Sequence, residues 1–400
     1  AEPDATNAVQ SGSKDQGEAE ADVGKTVAQH YNKLQEAGLD ARTQSRIFYL
    51  RNFNNWTKSM LIGDYLQKIR SNKGERCEIS VLDLGSGKGG DLLKWKKGRI
   101  DKLICADIAE TSVEQAESRF KDMGDRGGRE KFQQKSFQAE FIVADCTKER
   151  LKSKYKDPET QFDLVSCQFA FHYCFESYAQ ADMMLRNAGE CLRPGGYFIG
   201  TTPNSAEIVR RLKNAEGTKF GNEVYSIEFE NNDKEHLGLF GEKYNFHLEG
   251  VVDCPEFLVY IPLLEKLAMK YNLKLVEKKG FEEYFKEHIT TQDGRALIGR
   301  MQALEPYPAD DDVDLMGKDV PGSYTAAQNK VDQIQAEKDS NNDRRKFKVG
   351  TLSQSEWEAA TVYLAFAFQK QSEDDSKSET QPQESRKRTY DEANAASEAT

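Results

Sequence analysis

Histidine and cysteine are scarce in this chain, which limits the metal sites and cross-links that it can form. Five histidines and seven cysteines occur among 400 residues, and no two cysteines form a C-x-x-C pair. Cys105, Cys146 and Cys167 lie in or beside apolar runs typical of strands, so we expect reduced, packed thiols. The sequence therefore predicts neither a disulfide framework nor a zinc site, and we expect no bound metal.

Long apolar runs are also lacking. No stretch is long and apolar enough to span a bilayer, and the first residues do not resemble a signal peptide. These absences predict a soluble, intracellular protein that does not contact membranes.

Positive charge is in deficit overall but concentrated locally. The formal net charge of −11 argues against indiscriminate binding to nucleic acid. A basic cluster nevertheless stands out, formed by Lys88, Lys94, Lys96, Lys97 and Arg99. A solvated helix face would explain it, but its place beside a glycine-rich loop favours a ligand-binding role.

Three segments are too polar to form a packed core. Residues 1–24 and 371–400 are rich in small, acidic and other polar side chains, so we expect disordered tails. The second tail contains Ser-Arg-Lys-Arg at 385–388, which is either simply solvated or a nuclear-import signal. Residues 309–349 are predicted to form a polar, mobile excursion containing one helix, at 326–338.

Strand-like and helical stretches alternate between the tails. The predicted strands are 79–85, 102–108, 140–145, 162–169 and 197–202, with later candidates at 256–261, 273–278 and 361–369. The predicted helices are 59–66, 91–96, 111–123 and 178–192, the last with Ser177 as N-cap and ended by Pro194–Gly196. The pattern predicts an α/β fold with a doubly wound, mostly parallel sheet. We assign 25–308 to one domain with an inserted, hairpin-rich lobe at 220–252, completed by a final strand within 350–370.

A glycine loop follows the first predicted strand. The segment Ile79–Asp91 is an apolar run that ends in glycines and leads into a helix, so a ligand can approach bare backbone. Asp107 ends the next strand, 22 positions after Gly85. This is close to the spacing of an acid that binds ribose hydroxyls, so the pair predicts an adenosine-type ligand.

Two classes of ligand compete for this loop. Gly85, Gly87 and Gly90 fit the G-x-G-x-x-G pattern of dinucleotide-binding dehydrogenases, but a single match is weak. Asp83 precedes the first glycine, and a carboxylate there suits a cationic ligand better than a pyrophosphate. The V-L-D-L-G-S-G sequence resembles motif I of S-adenosylmethionine-dependent methyltransferases, whose ligand carries an ammonium and a sulfonium. A glycine turn that only packs is the remaining alternative.

Four polar or aromatic residues lie at or near later strand ends. Asp145 is placed to meet an adenine amino group, with helix capping as the alternative. Three roles are considered for His172: a general base, a hydrogen-bond donor, or a histidine packed in the core. Glu256 is either solvent-facing or the partner of a guanine edge. In the second case its carboxylate would offset the positive charge that develops on the guanine during methylation. Tyr363 is a core aromatic by default and a base contact as the alternative.

Several longer motifs resemble the eukaryotic mRNA cap guanine-N7 methyltransferases. The most specific are R-N-F-N-N-W at 51–56 and L-K-W-K-K-G-R-I at 93–100. Further matching stretches are 106–110, 166–173, 178–187, 194–205, 250–260, 301–308 and 350–368. The resemblance implies the Rossmann-like methyltransferase fold and methyl transfer from S-adenosylmethionine to the cap guanine. Guanine N7 has a free lone pair, so positioning and electrostatics would suffice and no metal is implied.

The resemblance also implies roles for individual residues. The cofactor would be held by Lys58, Asp83, Gly85, Asp107, Asp145, Gln168 and Tyr173. The cap would be held by Asn54, Asn55, Lys88, Lys94, Arg119, His172, Glu256 and Tyr363. On this interpretation His172 and Glu256 are the catalytic pair, and they act by positioning and charge.

Other functions stay open at this point. A non-catalytic cap- or RNA-binding module on the same scaffold is one rival, and a small-molecule methyltransferase is another. The implied partner is the capped 5′ end of mRNA, and we expect a nuclear location. An activating subunit and a nuclear import receptor are the further partners considered.

Overall fold

A seven-stranded sheet forms the centre of the protein. The computed structural model of the chain describes residues 23–33, 43–125 and 137–372. The sheet comprises β1 Ser80–Leu84, β2 Lys102–Asp107, β3 Gln138–Val143, β4 Phe162–Gln168, β5 Leu192–Pro203, β10 Leu273–Gly280 and β13 Tyr363–Lys370. The strand order is β10-β13-β5-β4-β1-β2-β3, with β13 antiparallel to both of its neighbours. The predicted fold class, a doubly wound and mostly parallel sheet, is confirmed.

Eleven helices occur in the described residues, and most of them pack around this sheet. They are α1 Val23–Lys33, α2 Phe48–Lys73, α3 Leu92–Lys97, α4 Glu110–Asp125, α5 Tyr178–Gly189, α6 Ser205–Asn214, α7 Ile261–Met269, α8 Phe281–His288, α9 Gln292–Arg300, α10 Thr325–Ser340 and α11 Gln354–Ala360. Short 3₁₀ helices span Leu151–Lys154 and Phe171–Glu176. Every residue of β4 is buried, as expected for a central strand covered on both sides.

The long helix α2 positions one wall of the site. It buries Phe53, Trp56 and Tyr65 against the sheet and the later helices. The indole N–H of Trp56 donates to the carbonyl of Gly294, 3.1 Å away. The R-N-F-N-N-W motif at 51–56 and the predicted helix 59–66 are parts of this one helix, which carries Asn54, Asn55 and Lys58.

A second sheet lies where the inserted lobe was predicted. Its strands are β6 Lys219–Gly221, β7 Tyr225–Phe229, β8 Lys243–Leu248 and β9 Val252–Phe257, joined in that order and antiparallel. The predicted strand 256–261 is therefore wrong in bounds and in sheet. Only its first residues belong to β9, and the remainder leads into α7, whose first turn contains Pro262.

The predicted end of the fifth helix is also wrong. Ser177 does cap α5, since its hydroxyl accepts from the N–H of Gln180. The helix, however, ends at Gly189, and Pro194–Gly196 lies inside β5. The register with β4 shifts across this stretch, because Phe162 pairs with Leu192 and Leu164 with Tyr197, so Pro194–Gly196 forms a bulge within the strand.

The polar excursion between Tyr307 and Val349 contains one helix, α10, slightly longer than predicted. Two short strands, β11 Glu305–Tyr307 and β12 Val349–Thr351, pair antiparallel at its base. Buried Glu305 accepts from the N–H of Met316 and from the hydroxyl of Tyr324, 2.7 and 2.6 Å away. The excursion is thus anchored by its own polar contacts, and the mobility expected of it stays a prediction.

The predicted tails fall almost wholly outside the described residues. This holds for 1–22 and 373–400, including the basic cluster at 385–388, while Val23 and Gly24 already belong to α1. Within the described ranges, no helix has the length and apolar character needed to cross a membrane.

Candidate active site

The loop after β1 has a backbone that only glycine adopts easily. Gly85, Gly87 and Gly89 have φ angles of +65°, +52° and +74°. A Cβ on Gly85 would lie 2.6 Å from the Cβ of Ala170, so a side chain there would collide with the segment after β4. With glycine at these positions, the backbone of Gly85 and Gly87 directly lines the cavity beside the loop.

This cavity has a volume of about 290 Å³ at the carboxyl ends of the parallel strands. Many of the predicted cofactor residues line it: Lys58, Gly85, Asp107, Asp145, Gln168 and Tyr173. Helix α1, which packs against β9 and α4, covers it with Val23, Val27 and Tyr31. The cavity is thus a pocket with a glycine floor, apolar walls and a few convergent polar groups.

Asp107 has two functions in this geometry. Its Oδ2 accepts from the N–H of Gly87 and its Oδ1 from the N–H of Ala109, at 2.8 and 2.9 Å. Burial raises the pKa of this carboxyl, and the backbone donors partly offset that rise. Asp107 therefore fixes the glycine loop and presents its carboxylate to the cavity.

Asp145 and Gln168 are held at the edge of the pocket by their own hydrogen bonds. Asp145 Oδ1 accepts from the backbone N–H and the hydroxyl of Thr147, so it fixes a turn and not the helix start considered as its alternative role. The amide of Gln168 is fixed between the hydroxyls of Ser166 and Thr201, both 3.1 Å away. Both side chains are therefore preorganised.

Asp83 does not line the pocket, contrary to the expectation that it points at the ligand. It is buried, and its Oδ2 accepts from the indole N–H of Trp95, 3.1 Å away. Burial and the neighbouring Asp91 raise the pKa of Asp83 to about 7. The acid before the first glycine lies behind the loop, and it reaches the ligand only through its neighbours.

Asp83 belongs to a mostly buried cluster of two acids and two lysines, whose other members are Asp91, Lys58 and Lys94. Asp91 Oδ1 lies 2.8 Å from Lys58 Nζ and 2.7 Å from Lys94 Nζ. Lys94 also donates to Asn55 Oδ1 at 2.9 Å. Burial alone would raise the pKa of Asp91, but the two ammonium groups outweigh it and lower the pKa to about 2. Asp91 was missed in the sequence because a lone aspartate before a helix resembles an ordinary cap.

His172 and Glu256 come together, although they lie on different elements. His172 Nε2 is 3.1 Å from Glu256 Oε1, an ion-pair distance without hydrogen-bond alignment. Both residues are buried, and neither ring nitrogen of His172 has a hydrogen-bond partner. Glu256 Oε2 accepts from the hydroxyl of Tyr244 at 3.0 Å. Glu256 is thus not the solvent-facing acid that its residue type alone suggests.

Aromatic side chains join this pair to the cofactor pocket. Phe169, which lines the pocket, has a φ of +57°, and its ring meets that of Tyr363 edge to face at 4.9 Å. Tyr173 contacts the hydroxyl of Tyr31 and the thiol of Cys254, each 3.3 Å away. Burial, with Glu256 adding, raises the pKa of Tyr363 well above its usual value. A strained backbone at this junction is typical of functional sites.

The remaining predicted cap residues are Asn54, Lys88 and Arg119. Asn54 has a buried amide oxygen without a hydrogen-bond partner. Arg119 donates to the carbonyl of Lys88 at 2.8 Å, and burial lowers the pKa of its guanidinium. The basic residues noted in the sequence at 88–99 differ in exposure. Lys94 is largely buried, whereas Lys97 and Arg99 are exposed.

The fold and pocket define a class before any relative is considered. A glycine loop, a ribose-type acid, a buried ammonium and apolar walls fit S-adenosylmethionine, and this chain is an S-adenosylmethionine-dependent methyltransferase. A family model for the mRNA (guanine-N(7))-methyltransferase domain matches residues 14–371. The chain belongs to that family.

Relatives with the same description occur in distant eukaryotes. The chain is 51% identical over 349 residues to the mRNA cap guanine-N(7) methyltransferase of Drosophila melanogaster, covering 86% of this chain and 76% of the relative. It is 42% identical to the Caenorhabditis elegans enzyme, covering 89% of each. It is 38% identical to mRNA cap guanine-N(7) methyltransferase 1 of Oryza sativa, covering 86% of this chain and 81% of the relative. Among solved structures, the CcbJ methyltransferase of Streptomyces caelestis is 12% identical, with a TM-score of 0.40, covering 77% of this chain and 90% of that one.

Proposed function

We propose that the chain methylates N7 of the guanine in the 5′ cap of mRNA. One observation carries the proposal within this family. The buried His172–Glu256 pair lies beside the cofactor pocket, and Tyr173 and the Phe169–Tyr363 contact join the two. An acceptor base held there would face the pocket.

The reaction requires orientation more than acid–base chemistry. Bound S-adenosylmethionine supplies a methyl group activated by its sulfonium. Guanine N7 attacks with its own lone pair, so no side chain has to remove a proton. The chain contributes a pocket with apolar walls, in which Tyr31 and Val27 form part of the lining. The cofactor would be held by Lys58, Gly85, Asp107, Asp145, Gln168 and Tyr173.

Glu256 and His172 would act on the guanine. A buried carboxylate accepts hydrogen bonds from N1–H and the amino group, and it offsets the positive charge that methylation places on the ring. The unpartnered ring nitrogens of His172 are available to a base edge. His172 therefore positions the cap, and Tyr363 packs beside it.

The triphosphate bridge needs cations, and the lysine side of the site provides them. Lys88, Lys94 and Arg119 would contact the phosphates, with Asn54 and Asn55 nearby on α2. Methylation of capped RNA, uncapped RNA and free small acceptors, with chelator present, tests the function. Methylation of the cap at N7 alone is expected. Activity on an internal base, on a ribose or only on small acceptors would overturn it, and binding without turnover would identify a non-catalytic module.

Lys94→Ala should weaken cap binding by about 10- to 100-fold, because a charge-assisted hydrogen bond to phosphate is lost. The slope of log affinity against log salt should fall by about one. Affinity for the cofactor should change little, since the cofactor has no phosphate. Fluorescence titration of a cap dinucleotide across a salt series measures both quantities. Lys97→Ala, an exposed lysine on the same helix, is the matched control. Equal effects of the two changes would contradict the assignment of Lys94.

Nuclear location and further partners belong to this proposal. Capped mRNA is the partner that the family implies, whereas an activating subunit and an import receptor rest on the sequence alone. Arg386, Lys387 and Arg388 lie outside the described residues and are proposed as the import signal.

Deleting residues 373–400 should leave catalysis nearly intact but reduce nuclear accumulation. The cut spares Gln371, whose N–H donates to the carbonyl of Asn272 at the end of the sheet. Replacing only the three basic residues by alanine in the full chain is the sharper variant. Imaging of fluorescent fusions, with activity measured in parallel, is the test. Full nuclear accumulation of both variants would mean that these residues are not the signal.

A further inference from the structure

Asp91 occupies the N-cap position of α3 but does not cap it. Aspartate is favoured there because its carboxylate accepts from the first free N–H groups of the helix. Here the side chain makes no such bond, and the residue is buried. The carboxylate instead faces two lysines from two different helices.

One oxygen of Asp91 holds both ammonium groups. Because Lys58 Nζ and Lys94 Nζ lie 2.8 and 2.7 Å from Oδ1, the two nitrogens are no more than about 5.5 Å apart. Lys58 lines the cofactor pocket, whereas Lys94 extends to Asn55 on the proposed phosphate side. The two sides of the active site therefore meet at a single carboxylate.

We propose that Asp91 is a positioning residue that serves both substrates, by keeping Lys58 and Lys94 charged and in place. Lys58 then meets the carboxylate of the cofactor, and Lys94 meets the phosphates of the cap. The role of Lys94 toward the cap rests on the proposed function, whereas the role of Lys58 toward the cofactor follows from the pocket that it lines.

The charge balance of the cluster explains the need for this residue. Burial lowers the pKa of Lys94, and Asp91 is the strongest influence that raises it. Without Asp91, two buried ammonium groups would repel each other and lose their shared counter-ion, so burial and repulsion would favour the uncharged form of both lysines as the pH rises. Asp83 also faces them; its pKa of about 7 makes it mostly neutral at pH 6 and charged at pH 9, and its Oδ2 accepts from the indole N–H of Trp95. Asn55 and the carbonyl of Gly90 add only neutral acceptors.

Asp91→Asn tests the proposal because it removes the charge at almost constant size. S-adenosylhomocysteine and an unmethylated cap dinucleotide are titrated separately by calorimetry from pH 6 to pH 9. A lysine with a lowered pKa loses its charge as pH rises, so the loss should be greatest at pH 9. We expect both affinities to fall about tenfold or more at pH 9 and to recover to within about threefold of wild type at pH 6. Turnover at saturation should change much less than either KM.

Asp163→Asn is a matched control at the opposite end of the sheet. Asp163 is buried and paired with two cations, Lys73 and Arg193, but it lies far from the pocket. The Asp163→Asn variant should be less stable to heat, while its affinities for S-adenosylhomocysteine and for the cap dinucleotide stay unchanged. Asp91→Glu, which keeps the charge, should bind both ligands at pH 9 better than Asp91→Asn does.

The remaining outcomes decide against the proposal. Unchanged or tighter binding in Asp91→Asn overturns it, as does a loss confined to one ligand or a loss independent of pH. If Asp91→Asn unfolds, its combination with Lys94→Gln removes the repulsion. Binding of S-adenosylhomocysteine must then still fall with rising pH relative to Lys94→Gln alone. A wild-type chain that binds S-adenosylhomocysteine but no cap dinucleotide would overturn the proposed function itself.

Discussion

Replacing Glu256 by glutamine should lower turnover on capped RNA by about 100-fold or more, within the range seen when one preorganised electrostatic group is lost. Glutamine keeps the size of the side chain and an oxygen that can accept from Tyr244. It loses the negative charge that offsets the methylated guanine, and it places an amide where an acceptor is needed. Affinity for the cofactor should stay within about twofold, because Glu256 does not line the cofactor pocket. Single-turnover methylation and calorimetry measure the two effects separately.

Glu305→Gln is a matched control for this experiment. Glu305 is also a buried glutamate that accepts from a tyrosine hydroxyl, but it lies at the base of the excursion. Its replacement should affect stability and leave methylation unchanged. Wild-type turnover by Glu256→Gln, or an equal loss in both variants, would show that Glu256 is a structural acid.

Asp107→Ala should weaken cofactor binding by at least about 100-fold, because two charge-assisted bonds of ~1.5–3 kcal/mol each are lost with the ribose hydroxyls. The structure adds a second cause, since the same carboxylate fixes the glycine loop through the N–H of Gly87. Calorimetry with S-adenosylmethionine measures the affinity, and circular dichroism establishes that the variant folds. A folded variant with unchanged affinity would refute the ribose assignment.

Asp101→Ala separates the loss of a ligand contact from the loss of a scaffold bond. Asp101 precedes the same strand at its other end, and its Oδ2 accepts from the N–H of Ile79 at 2.9 Å. It is remote from the pocket, so its replacement should lower stability while cofactor affinity is retained.

The sequence predicted the sheet well because its central strands are buried runs of mostly apolar residues. Runs such as Val81–Leu84 and Phe162–Gln168 are apolar enough to be recognised without their neighbours. Boundaries failed where a turn-like sequence lies inside a strand, as at Pro194–Gly196, which forms a bulge between the paired residues Leu192 and Tyr197. Strand β9 was misplaced because the segment Val252–Tyr260 is apolar at both ends and its sheet depends on pairing with β8.

The site was predictable to the extent that its residues follow strand ends or match family motifs. Those signals gave the residues of the pocket, and the structure brings most of them together. They could not give Asp91, Tyr31 or Tyr244, because their significance depends on distances between separate elements. Asp83 illustrates the opposite error, since its position in the motif does not determine which way its side chain points.

The pairing of β11 with β12 has a consequence for how this enzyme can change in length. Residues 305–307 run antiparallel to 349–351, so both ends of the excursion leave the core side by side. Lengthening a segment with adjacent ends costs little extra closure entropy, and the strands beneath need not move. We therefore expect the chain to accept insertions or a grafted module here while its catalytic core keeps its geometry, provided that Met316 and Tyr324 still donate to buried Glu305.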